Sequence, residues 1–102
     1  MWIITKDKLR RFWEVHKPAR SPLEDWYRVA NKAKWEHINH VRRVFPSADA
    51  VEVKSGRTAT VFNISWNNYR LIASIHYNRG KIFILDVLTH AEYSKGAWKE
   101  KY

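Results

Sequence analysis

Cysteine is absent from the 102 residues, which removes disulfide frameworks, thiolate metal sites and thiol nucleophiles together. This fits a reducing compartment. The longest apolar stretch, Ile82 to Leu88, is broken by Asp86 and falls far short of the roughly 20 residues that span a bilayer. The N-terminus carries no signal-peptide pattern, and no internal repeat or low-complexity segment occurs. These absences point to a cytoplasmic protein with no membrane partner. Acidic residues are scarce: ten Asp and Glu face nineteen Lys and Arg, a formal net charge of +9. On so small a surface that excess asks for a polyanion, because clustered Lys and Arg release condensed counterions from phosphates. An acidic protein would satisfy the same charge.

What is present suffices for one domain, residues 1–102. Hydrophobic residues make up 45% of the chain, with six Trp, five Tyr and four Phe, enough to build a core without metal or disulfide support. The pattern divides near Phe45-Pro46-Ser47, helical before and strand-like after. Residues 1–4 read as a short strand and Thr5 as the N-cap of a helix bearing Leu9, Phe12, Trp13 and His16, ended by Pro18. Ser21-Pro22-Leu23-Glu24 has the form of a capping box opening a second helix, with Leu23, Trp26, Tyr27, Ala30 and Ala33 on one face. A shorter turn of helix around Ile38, Val41 and Val44 follows.

Four strands are expected beyond residue 50, over about 50–54, 58–64, 69–77 and 81–89, joined by turn-rich links and therefore antiparallel. Placing Tyr77 opposite Lys81 sets Arg70 opposite Leu88 and diagonal to His90. Placing Ile64 opposite Tyr69 sets Asn63 opposite Arg70. One face would then gather Asn63, Arg70 and His90 beside a mixed, partly open surface. The other would present Phe62, Ile64, Leu71, Ala73, Ile75, Phe83, Leu85 and Val87 to the helices. The fold class is α+β.

Metal-free RNA cleavage needs a base for the 2′-hydroxyl, cations for the charge on phosphorus and an acid for the leaving 5′-oxygen. Arg70 and the run Thr89-His90-Ala91-Glu92-Tyr93-Ser94-Lys95 bring such groups to one end of the sheet. Diagonal cross-strand neighbours lie about 7–8 Å apart, a gap that an arginine and an imidazole close around one phosphate. His37 and His40 share a helical face at metal-compatible spacing but lack a third ligand, so neither metal nor cofactor is expected.

The segments Phe62-Asn63-Ile64, Asn68-Tyr69-Arg70-Leu71-Ile72 and Leu88-Thr89-His90-Ala91-Glu92-Tyr93, with the link from Val44 to Asp49, resemble the sequence blocks of HigB-type toxins of the RelE superfamily. The resemblance implies two N-terminal helices on a twisted, mainly antiparallel sheet, with a short C-terminal helix. It implies a metal-independent endoribonuclease acting on messenger RNA, free or on the ribosome, and a HigA-like helix-turn-helix antitoxin. By position, Arg70 would be the transition-state arginine and His90 the acid–base histidine, supported by Glu92, Tyr93 and Lys95. Trp66 departs from the glycine of many relatives, and Ser94 from their frequent aspartate. Asn63, Trp66, Asn68, Lys54 and Arg57 are the candidate RNA contacts, although Asn63 also reads as a structural turn residue and Trp66 as a seal on the turn.

Structural readings stand beside these. A strand arginine ordinarily serves a salt bridge, a strand-end histidine bonds backbone, and Tyr93 and Lys95 read equally as packing and solvated charge. The basic helix residues read as wet faces, and Trp13, Trp26, Trp35 and Trp98 as core. A basic RNA-binding module without catalysis is the competing function, and a binder of an acidic protein the third.

Overall fold

The computed structural model describes all residues, Met1–Tyr102. The chain runs β1 (Trp2–Ile4), α1 (Asp7–Val15), a 3-10 turn (Lys17–Ala19), α2 (Arg20–Lys32), α3 (Ile38–Val44), β2 (Asp49–Glu52), β3 (Thr58–Ile64), β4 (Tyr69–His76), a second 3-10 turn (Tyr77–Arg79), β5 (Lys81–Thr89), α4 (His90–Lys95) and α5 (Ala97–Lys101). The strands form one mixed sheet in the order β1-β5-β4-β3-β2. β1 lies parallel to β5 and every other pair is antiparallel.

The helices α1, α2 and α3 cover one face. Leu9, Leu23, Trp26, Ala30, Trp35 and Val41 are buried there against Phe62, Ile64, Leu71, Ala73, Ile82, Ile84 and Val87. Phe62 is central to this layer, with the rings of Trp26 and Phe45 each meeting it edge-on at 5.3 Å. Tightly interdigitated aromatics of this kind fix the helix positions on the sheet.

The expected register holds beside the site and fails at the far end. Arg70 pairs with Leu88 and Asn63 with Arg70, but His76, not Tyr77, pairs with Lys81. Tyr77 belongs to the 3-10 turn, and a bulge between Ile72 and Ala73 absorbs the missing residue by leaving Leu85 unpaired on β5. A bulge puts two successive side chains on one side. Ile82 and Ile84 therefore enter the helix-covered core in place of the expected Phe83 and Leu85. The other face, expected to stay partly open, carries its own small core of Val53, Ala59, Val61, Ile72, Leu88 and Trp98 beneath α5.

Helix starts also differ from the sequence pattern. Thr5 does not cap α1: it sits at φ 64°, and its hydroxyl donates to Ile84 O at 2.9 Å and accepts from Ile84 N at 3.1 Å, tying down the edge of β5 beyond β1. Ser21 does not cap α2, which begins at Arg20 directly after the 3-10 turn, and Glu24 binds Arg20 at 3.1 Å instead. α1 ends at Val15, before Pro18, and β2 ends at Glu52. The single short C-terminal helix is two, hinged at Gly96, whose φ of 75° favours a residue without a side chain.

Candidate active site

The end of the sheet where β4 begins and β5 finishes is closed by two local devices. The link Ser65–Asn68 turns with Ser65 and Trp66 both left-handed, at φ 51° and 63°. Thr89 leaves β5 with extended backbone and caps α4: Glu92 N donates to its hydroxyl at 3.2 Å, and the Glu92 carboxylate accepts from Thr89 N at 3.0 Å. That reciprocal pair satisfies two helix-end donors at once. The His90 N–H donates to Asn68 O at 3.0 Å, joining helix to turn.

Arg70 is buried between these devices, with 8% of its surface exposed. Its Nη1 donates to Asn67 O at 3.0 Å and Tyr69 O at 3.2 Å, and its Nη2 to the Asn67 side-chain oxygen at 3.4 Å. Nη2 also lies 3.4 Å from His90 Nδ1. Because the guanidinium only donates, that Nδ1 acts as acceptor and the neutral ring carries its proton on Nε2. The guanidinium sits over the Tyr93 ring at 5.1 Å, and Tyr93 stacks on Trp98 at 5.4 Å. Arginine, histidine and tyrosine thus meet over an apolar floor, where charge interactions are less screened than in water.

Other candidates are placed differently. The bond from Thr89 N holds the Glu92 carboxyl below its ordinary range against the opposing effect of burial, with smaller help from the Thr89 hydroxyl, His16 and Lys95. Lys95 ends α4, exposed. Asn63 donates to the Asn67 side-chain oxygen at 3.4 Å. Trp66 projects from the turn with 91% of its surface exposed, and Asn68 engages through its carbonyl. Lys54 and Arg57 lie at the opposite end of β3, about 20 Å away at 3.3 Å per residue. Lys54 there faces Glu100 at 3.6 Å. The His37 and His40 rings lie tilted, 3.9 Å apart, with His40 accepting from Glu36 N. Two groups beside the site were not among the expected site residues: Asn67, whose available sign is the asparagine pair in a short link, and His16. That ring stacks on Phe12 at 4.4 Å and lies 6.0 Å from Tyr69.

A small α+β domain with a basic, tyrosine-floored arginine–histidine pair at one sheet end is of the RelE-like class. The chain belongs to the HigB toxin family: residues 19–96 match the model of HigB_toxin, the RelE-like toxic component of a toxin–antitoxin system. It is similar to the mRNA interferase toxin HigB of Escherichia coli (strain K12), 27% identical over 93 residues covering 91% of this chain and 88% of the relative. The mRNA interferase HigB of Escherichia coli O6:H1 is 29% identical over 95 residues, covering 93% and 90%.

Proposed function

We propose that the protein is a metal-independent endoribonuclease that cleaves messenger RNA in the cytoplasm, on or off the ribosome, and is neutralised by a HigA-like helix-turn-helix antitoxin. The observation that carries this reading is the guanidinium of Arg70 set 3.4 Å from His90 Nδ1 and over Tyr93, in a family whose relatives are named mRNA interferases.

In the proposed reaction the 2′-oxygen attacks phosphorus as its proton is taken up, and the 5′-oxygen leaves as it gains one. The products are a 2′,3′-cyclic phosphate and a 5′-hydroxyl. Arg70 stabilises the charge building on the phosphoryl oxygens, a role in which fixed donors are most effective. His90 as imidazolium gives its Nε2 proton to the leaving 5′-oxygen while solvent takes the 2′-hydroxyl proton. Its Nδ1 contact with Arg70 belongs to the neutral resting ring and is given up when that nitrogen is protonated. Tyr93 holds the guanidinium from below, and Lys95 adds positive charge. Glu92 acts chiefly through the cap that sets His90 in place. Trp66 offers a ring for a flanking base, with Asn63 and Asn68 beside it, while Lys54 and Arg57 meet only a strand that runs on across the molecule.

The test is cleavage of message in excess EDTA, with end analysis of the fragments. The expected outcome is activity, cyclic or 3′-phosphate ends, and loss of about 100-fold or more in His90→Ala with RNA affinity retained. Strict magnesium dependence of the chemical step, or 3′-hydroxyl ends, would remove the scheme. The exposed Trp66 favours a second reading, a non-catalytic RNA-binding module; it becomes the better account if His90→Ala loses binding and cleavage in equal proportion.

A further inference from the structure

Arg70 offers five N–H donors, and the turn before it takes an unusual share of them. Asn67 alone receives two bonds from two different nitrogens: its backbone carbonyl from Nη1 at 3.0 Å and its side-chain oxygen from Nη2 at 3.4 Å. A two-point grip on a planar group fixes its rotation as well as its position. The amide itself is oriented from the other side, since Asn63 Nδ2 also donates to that oxygen at 3.4 Å. Two donors converge on one atom, so the oxygen must face inward and the amide NH2 outward. The polar string Asn63, Asn67, Arg70, His90 crosses from β3 to α4 along the sheet end.

The backbone supports the same conclusion. Ser65 and Trp66 both hold positive φ without being glycine, a conformation L-residues avoid unless the surroundings impose it. Asn68 N donates to Ser65 O at 3.1 Å and closes the turn, and Asn68 O receives His90 N. The unfavourable turn places Asn67 where its two oxygens face the guanidinium.

From this geometry we infer that Asn67 is the positioning residue of the site: it aims Arg70 at the phosphate and touches no reacting atom itself. The inference rests on the nuclease reading for what Arg70 is aimed at, and on geometry alone for the grip. Asn67→Ala keeps the backbone carbonyl and removes the side-chain oxygen. Turnover in a single-turnover assay on the parent's message should fall on the order of 10-fold, the usual effect of losing a hydrogen bond to a charged group, with RNA affinity and thermal unfolding near the parent's. Because the effect passes through Arg70, the same substitution should change nothing further in an Arg70→Ala background.

A readout independent of cleavage is the nitrogen-15 NMR of the Arg70 side chain. The parent should show separate, slowly exchanging Nη–H signals from restricted rotation, and Asn67→Ala averaged ones. Should Asn67→Ala unfold, Asn67→Asp keeps the acceptor and the turn chemistry; it should slow the rotation further while lowering turnover, since a carboxylate neutralises the charge. An equal loss in both backgrounds, or averaged Arg70 signals in the parent, overturns the inference. A parent with restricted Arg70 signals that cleaves no RNA would refute the nuclease reading and leave the grip standing.

Discussion

At the scale of single residues, the site depends on a buried cation used as a fork. Arg70→Lys should lose nearly as much turnover as Arg70→Ala, because an ammonium cannot make the parallel contacts of a guanidinium. Single-turnover rates of the two variants check this, and a lysine variant retaining most activity would reduce Arg70 to general electrostatics. Glu92 has a different dependence. Its folded carboxyl titrates below the ordinary value, first because Thr89 N–H binds the ionised form. Its contribution to stability is therefore complete above the unfolded pKa, about 4.3, and disappears as pH falls through the lower folded value. Glu92→Gln, which can still close the capping box, should flatten that part of the stability–pH curve, measured by urea unfolding between pH 3 and 6. The Arg70–His90 meeting was expected from a count along the β4–β5 hairpin that starts one residue off, and it holds because the bulge at Leu85 restores the pairing of Arg70 with Leu88. Asn67 was not expected, since a turn asparagine is ordinarily explained by its own backbone.

At the scale of elements, two segments carry the same S/T-x-x-E pattern and only one becomes a cap. Thr89 enters from a strand with ψ 163°, so its amide is free to bind Glu92. Ser21 follows a 3-10 turn whose helical course already includes Arg20, so its hydroxyl has no helix end to close. Thr89→Ala should thus destabilise the protein by about 1 kcal/mol and raise amide exchange in α4. Ser21→Ala should stay within about 0.5 kcal/mol. Equal losses in the two variants would contradict this account of the helix starts. The bulge teaches the same lesson for strands. Strict alternation assigns β5 one face throughout, yet the unpaired Leu85 exchanges the facing of Phe83 and Ile84, because side-chain period is counted along the real ladder.

At the scale of the molecule, the positive excess is unevenly free. Arg10, Arg11, Arg20 and Arg28 pair with acids on their own helices. These exposed pairs contribute little to stability, but they quench the charge available to a polyanion. If several remaining cations neutralise phosphates, log K for single-stranded RNA should fall against log salt with a slope of roughly −0.7 per phosphate, measured by titration at four salt concentrations. A flat dependence would argue that the charge serves another partner, and complex formation with an acidic antitoxin should then carry the salt sensitivity.

By itself the sequence determined the two-part division at Phe45-Pro46, the strand limits of β3 and β5, the apolar faces of α2 and β4, and the β3–β4 pairing that sets Asn63 against Arg70. Each follows from local periodicity or from short links that leave one pairing available. Only the tertiary structure decided what Thr5, Ser21 and Asn67 do, where β5 changes face, and that Trp98 and Tyr93 floor the site beneath Arg70. Those outcomes depend on which unpaired polar groups and uncovered apolar surfaces arrive from distant parts of the chain, and a donor is claimed by the acceptor that folding brings nearest.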